Sequence, residues 1–395
     1  MARAAAAAAG GEGIGADGRK RRTGPSSYLR RLNCFRPAGG RPAAATMDRR
    51  EGTRRMPTHL VITVNGILGS ADDWRFAAKQ FVKRYPEDII VHCSKCNIGN
   101  LTFDGVDVMG ERLAKEVKSV VELRPELRRI SFVCHSLGGL IARYAIGRLY
   151  EPSVIRDCSG EDGQCKIQKL DETSEHKSKG KIAGLEPVNF ITFATPHLGS
   201  GFHKQIPIFR GSHAWEKMAC RICGIAGRTG KHLFLKDHDQ RKPPLLLQMI
   251  TNCGDLKFMS GLRLFSRRVA YSNVNYDSIV GWKTSSIRHH HEHPKRHDFM
   301  KNEKYPHVVY VDKPKFIDVE QENFVEANIY DPKSAADIED LMIKGLNRVP
   351  WERVDVSFRK SKQRIIAHTT IQVTSKVFNS DGADVIHHMI DNFLL

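Results

Sequence analysis

No apolar stretch in the 395 residues approaches the roughly 18 needed to cross a bilayer, so no transmembrane helix is expected. The alanine run at 4–9 is too short and too weakly hydrophobic for a secretory signal. Nine cysteines, an odd number at scattered positions, form no disulfide framework and point to a reducing compartment. There is no phosphate-cradling glycine loop and no dinucleotide fingerprint, so no cofactor is expected. Acidic residues are in deficit: 62 Lys and Arg face 44 Asp and Glu, a formal charge of +18. Residues 1–58 carry 13 of those cations against four acids, so half of the excess sits in a small part of the chain. A basic tail of this kind argues against nucleic acid as a partner of the folded part. The remaining +9 eases approach to an anionic membrane surface or an acidic substrate.

What is present falls into two parts. Residues 1–57, rich in Ala, Gly, Arg and Pro, are too poor in apolar surface to fold and read as a disordered basic extension. The segment is Arg-rich and acid-poor like an organelle transit peptide, but it is poor in Ser and carries Glu12 and Asp17; sequence upstream of a start at Met47 is the alternative. Cytosol and plastid both remain open. Residues 58–395 read as a single folded domain.

In that domain short apolar runs alternate with helical patterns. HLVITVNGIL (59–68), DIIVHCS (88–94), ISFVCHS (130–136), VNFITFAT (188–195) and RVAYSNVN (268–275) read as strands, and WERVDVSF (351–358) alternates like one. HVVYV is a further short extended piece. Helices are expected over 104–123, from Leu137 to Tyr150, at 335–346 and at about 382–394. Residues 156–182 are polar and aperiodic and read as a surface loop or insertion. The alternation implies an α/β fold whose mostly parallel sheet carries helices on both faces. Residues 199–266 lack an obvious strand; they are the candidate helical cap, with Trp215 and LLLQMI offering an apolar face to acyl chains or a membrane.

The string FVCHSLGGL (132–140) carries the chemistry. A nucleophilic serine on a sharp strand-to-helix turn needs small flanks two residues to either side, here Cys134 and Gly138. Ser136 is therefore the candidate nucleophile. The helix N-terminus that follows offers free N–H groups and a positive partial charge, so the Leu137 N–H can hold an oxyanion. A second donor belongs after an earlier strand, and NGILG (65–69) fits there, with Ile67 favoured and Leu68 next. The acid follows a later strand: Asp277 is chosen over Asp255, which lies in a less strand-like setting. The histidine follows the last strand, and His368 is favoured over His388, which sits inside the last helix.

These strings resemble the putative serine esterase family of lipase-like α/β-hydrolases, long known only as a domain of unknown function, and the overall look is of a plant member. The resemblance covers about 57–395. It rests on HLVITVNGILGSADDW, FVCHSLGGLIARYAIG, FATPHLGS, NYDSIVGWKTSSIR, WERVDVSF, AHTTIQV and DGADVIHHMIDNF. It implies hydrolysis of carboxylic esters, acyl lipids among them, with Ser136, His368 and Asp277 as a catalytic triad. Most α/β-hydrolases carry Gly where this chain has Cys134. A catalytically silent fold that binds a lipid or a protein is the rival reading.

Three other features are set aside. Cys93/Cys96 and Cys220/Cys223 are too far apart in sequence for an ordinary structural zinc site, so no metal is expected. HHHEH (289–293) lies in an irregular basic stretch and reads as a solvated loop. His197, in FATPHLGS, follows a strand at a position that suits the mouth of the site but precedes the acid, against the triad order.

Overall fold

Five apolar runs and one alternating segment become the parallel centre of one sheet. In the computed structural model these strands are β2 (His59–Val64), β3 (Ile89–Cys93), β4 (Arg129–His135), β5 (Glu186–Phe193), β6 (Arg267–Asn273) and β8 (Glu352–Val356). Two edge strands, β1 (Cys34–Phe35) and β7 (Val308–Asp312), pair antiparallel with β3 and β8. The order across the sheet is β1-β3-β2-β4-β5-β6-β8-β7. The structure describes residues 34–35, 56–156, 167–169, 180–200, 227–239, 242–314 and 334–395. Most of the N-terminal extension, Cys220 and Cys223, and residues 201–226 of the candidate cap lie outside them.

Strands buried on both faces read as nearly unbroken hydrophobic runs, which is why these were visible in the sequence. Register sorts their side chains. Val61, Val91, Val133, Ile191, Val269 and Val354 fall on one face, in a core shared with Phe81 of α1 (Arg75–Arg84) and with Ile386 and Met389 of the C-terminal helix (Ala383–Asp391). The opposite face holds Phe132 and Phe190, whose rings meet Phe265 at 6.1 and 5.7 Å. That face is covered by α2 (Val106–Glu122) and α3 (Leu137–Leu149), which approach so closely that a Cβ at Gly110 would lie 2.3 Å from the Tyr144 ring. Helices thus cover both faces of a mostly parallel sheet.

Two stretches outside the main sheet carry structure of their own. The stretch read as a surface loop or insertion at 156–182 carries short strands, Ile167–Lys169 in its middle among them. Val154–Arg156 pairs antiparallel with Ile167–Lys169, and Tyr150–Glu151 pairs with Lys181–Ile182. In the described part of the candidate cap, Phe258–Arg263 is a helix packed against α3: Gly147 faces Phe258, and Gly261 faces Ile146. That helix belongs to the layer that supports the helix following Ser136.

Candidate active site

Parallel strands bring their carboxyl ends to one edge of the sheet, and the loops leaving β2, β4, β6 and β8 meet there. Ser136 is the last residue before α3 and has φ 51° and ψ −128°, a left-handed backbone that costs energy for any residue with a Cβ. Close packing enforces the turn. A Cβ on Gly138 would lie 2.5 Å from the Val64 carbonyl oxygen and 2.7 Å from that of Asn65, so only glycine fits at this flank. Gly66 lies directly over the serine, where a Cβ would come within 2.9 Å of the Ser136 Cβ. Cys134, the other flank, points into the core and is fully buried, and burial raises its thiol pKa well above the usual value. The Ser136 N–H donates to the Phe193 carbonyl at 2.8 Å, tying the turn to the end of β5.

Ser136 Oγ is 3.0 Å from Nε2 of His368, and Nδ1 of His368 is 3.0 Å from Oδ2 of Asp277. The three residues come from the ends of β4, β6 and the segment after β8, and all are at least nine-tenths buried. The Asp277 carboxylate accepts three further hydrogen bonds. Asn273 Nδ2 reaches Oδ2 at 2.9 Å, and the N–H groups of Ile279 and Val280 reach Oδ1 at 3.0 and 2.8 Å. Burial works to raise its pKa, but His368, the Val280 N–H and the Asn273 amide outweigh it and hold the group below its ordinary value. An ionised carboxylate fixes Nδ1–H on His368 and leaves Nε2 as the acceptor facing the serine hydroxyl. A hydroxyl so placed can give up its proton as it attacks.

The Leu137 N–H at the start of α3 and the Ile67 N–H in the loop after β2 have no hydrogen-bond partner among the described residues. The alternative donor, Leu68, gives its N–H to Thr102 Oγ1 at 2.9 Å. Asp255 is exposed in a turn. His388 Nδ1 meets the Tyr271 hydroxyl at 2.9 Å within the core. His197 does not lie at the mouth: it is fully buried, bonded to Thr192 Oγ1 at 3.0 Å and packed edge-on against Trp351, with Arg143 holding its carbonyl. HHHEH is not wholly solvated either, since His293 packs against the Trp282 ring.

Sequence reasoning missed the support around His368. His135 Nε2 donates to the His368 carbonyl oxygen at 2.7 Å, and the two rings are 4.7 Å apart. Burial, aided by the neighbouring His368, lowers the His135 pKa to about 3, so it is neutral. Asn273 spans the Asp277 carboxylate and the Ala367 carbonyl. The position of His135 beside the nucleophile is the one signal that pointed at it.

A mostly parallel sheet with covering helices and a strained serine turn at its carboxyl edge defines an α/β-hydrolase fold. The chain belongs to the family described as "Putative serine esterase (DUF676)", whose model matches residues 54–287. That match includes Ser136 and Asp277; His368 lies beyond it. Among curated relatives the chain is 30% identical over 243 residues to "Putative lipase ROG1" of Saccharomyces cerevisiae, covering 60% of this chain and 29% of that protein. It is 26% identical over 241 residues to "Putative lipase C4A8.10" of Schizosaccharomyces pombe, covering 58% of this chain and 26% of that one. The chain thus spans less than a third of the relatives it matches. Among solved structures, mature Bacillus licheniformis lipase BlEst2 aligns at 15% identity and a TM-score of 0.31, over 58% of this chain and 70% of that chain. Legionella pneumophila phospholipase PlaB aligns at 13% identity and a TM-score of 0.30, over 57% of this chain and 41% of that chain.

Proposed function

We propose that the protein is a serine esterase that hydrolyses acyl lipid esters through an acyl-enzyme. The observation that carries this reading is the unbroken hydrogen-bonded chain from Ser136 Oγ through His368 to Asp277, set on a strained turn. In the first step Oγ bonds to the ester carbonyl carbon while its proton passes to His368 Nε2. The N–H groups of Leu137 and Ile67 receive the negative charge that develops on the carbonyl oxygen, an effect that commonly supplies the largest part of such a rate gain. The C–O bond to the alcohol then breaks, and the alcohol leaves with the proton from Nε2. Water, giving a proton to the same nitrogen, bonds to the acyl carbon; the acyl–Oγ bond then breaks, Oγ takes the proton back from Nε2, and the acid leaves free Ser136. Asp277 orients His368 and stabilises the imidazolium throughout.

Family membership and the lipase names of the relatives support an acyl-lipid substrate. The test is labelling with a fluorophosphonate together with a panel of lipid esters. The wild type is expected to be labelled and to hydrolyse part of the panel, and Ser136→Ala to lose both, with kcat lower by about 10⁵ to 10⁶. Equal labelling of the two proteins, or none of the wild type, refutes the reading and leaves a fold that binds without catalysis.

A further inference from the structure

The loops that hold the site also expose large apolar side chains. Ile67 and Leu68 follow β2, Tyr276 and Ile279 flank Asp277, and Ile365 and Ile366 precede the short helix that carries His368. Ile365 is 79% exposed and Leu68 61%. All six lie beyond the carboxyl ends of the parallel strands β2, β6 and β8, so they belong to one edge of the sheet. Two of these loops touch: the Arg364 guanidinium sits 5.5 Å from the centre of the Tyr276 ring. Single exposed apolar residues are ordinary, but a group of them around one site marks a contact surface.

Charge specifies the partner. Between Ser357 and Ser380 the chain carries five Lys and Arg and no Asp or Glu. All five cations are exposed, four of them in the stretch RKSKQR that runs directly into Ile365. Basic side chains beside exposed aliphatic ones suit a lipid surface with anionic headgroups, where the cations meet phosphate and the aliphatic groups enter the acyl boundary.

We propose that this edge of the molecule docks on a membrane containing anionic lipid, with the 359–366 segment as its principal contact. The proposal rests on the hydrolase reading for its purpose: docking would bring membrane esters to the mouth above Ser136. Co-sedimentation of the full chain with vesicles tests it, using phosphatidylcholine alone and phosphatidylcholine mixed with phosphatidylglycerol. The variants are Arg359→Gln/Lys360→Gln/Lys362→Gln and, separately, Ile365→Ser, all in the full chain so that the basic N-terminal extension stays constant.

Near an anionic surface each cation is worth roughly fivefold in partitioning, so the triple variant is expected to bind mixed vesicles about 100-fold more weakly. Ile365→Ser is expected to weaken binding about tenfold. Both variants should hydrolyse a soluble short-chain ester at the wild-type rate, which shows that they are folded. Binding of the triple variant at wild-type strength, whether carried by the N-terminal arginines or otherwise, overturns the proposal. So does equal binding of the wild type to neutral vesicles, or capture by a protein partner without vesicle binding. Ser136→Ala separates the two readings. If it sediments like the wild type but hydrolyses nothing, docking and hydrolysis both stand. If the wild type sediments but is not labelled by fluorophosphonate, only the hydrolase reading fails; if it is labelled but does not sediment, only docking fails.

Discussion

His135 Nε2 donates a hydrogen bond to the backbone carbonyl of His368 at 2.7 Å. The residue that precedes Ser136 thereby holds the main chain of the residue whose imidazole meets Ser136. Two histidines 233 positions apart are locked together at the carboxyl edge of the sheet, and the serine and its partner are set against each other through the backbone as well as through the side chains.

Removal of that clamp should disturb the position of the imidazole and leave ester binding largely alone. His135→Ala is expected to lower kcat by about 10- to 100-fold with little change in KM. His135→Gln, whose amide N–H can reach the same carbonyl, should restore part of the loss. Steady-state kinetics on a soluble ester decide the matter. A rise in KM at unchanged kcat, or no rescue by Gln, would assign His135 to packing alone.

Asp277→Asn probes the other side of His368. An amide in place of the carboxylate can keep its oxygen as acceptor for the Ile279 and Val280 N–H groups, but its NH2 then faces the Asn273 amide donor and no longer favours Nδ1–H on the imidazole. The expected result is a fall in kcat of about 10⁴ with a loss of only about 1 kcal/mol of stability, from the one hydrogen bond to Asn273. An activity within tenfold of wild type would remove Asp277 from the proposed mechanism.

Much of this arrangement was legible in the chain because the physics behind it is local. Parallel strands buried on both faces must be written in apolar residues, so β2 to β6 stand out as runs, while β8 shows itself by alternation. The turn at Ser136 needs Gly138 because backbone carbonyls leave no room for a Cβ, and a glycine at a fixed offset is readable. Other features depend on partners distant in sequence. The clamp of His135 on a carbonyl 233 residues away has no local pattern. Nor does the burial of His197 against Trp351, which removes from the mouth a residue that the strand-end reading placed there. His388 was a rival to His368 on position alone; its bond to Tyr271 becomes visible only once the last helix is docked on the sheet.

Cys134 stands where relatives of this fold usually carry glycine. The tight contacts of the turn involve Gly138 and Gly66, while Cys134 is fully buried at the end of β4. Cys134→Gly is therefore expected to leave activity on a soluble ester intact and to cost about 1–2 kcal/mol of stability, from the small cavity and the added chain entropy. Thermal unfolding and ester kinetics on the same preparation test this. A loss of activity without a loss of stability would show that the thiol shapes the turn.

Stability should fall on mild acidification because histidines are buried in the neutral form. Burial first, with Arg129 adding to it, lowers the pKa of His59 to about 3, where the imidazole meets Ser131 Oγ at 2.8 Å and packs against Phe393. His135 is lowered to about 3 as well, and His197 lies well below its usual value, in both cases chiefly through burial. In the unfolded chain each titrates near 6.5, so below that pH the unfolded state binds more protons than the folded one. Stability is thus full above about pH 6.5 and declines from there towards pH 3, by up to about 1.4 kcal/mol per pH unit for each histidine. Asp277, also depressed, adds to the loss only where carboxylates begin to protonate, below about pH 4. His59→Gln keeps an acceptor for the Ser131 hydroxyl, whose oxygen already accepts from the Asn189 N–H and side-chain amide, and removes one titrating group. Its melting temperature should fall less steeply than that of the wild type between about pH 7 and about pH 4.5. Parallel slopes for the two proteins would mean that His59 is not neutralised by burial.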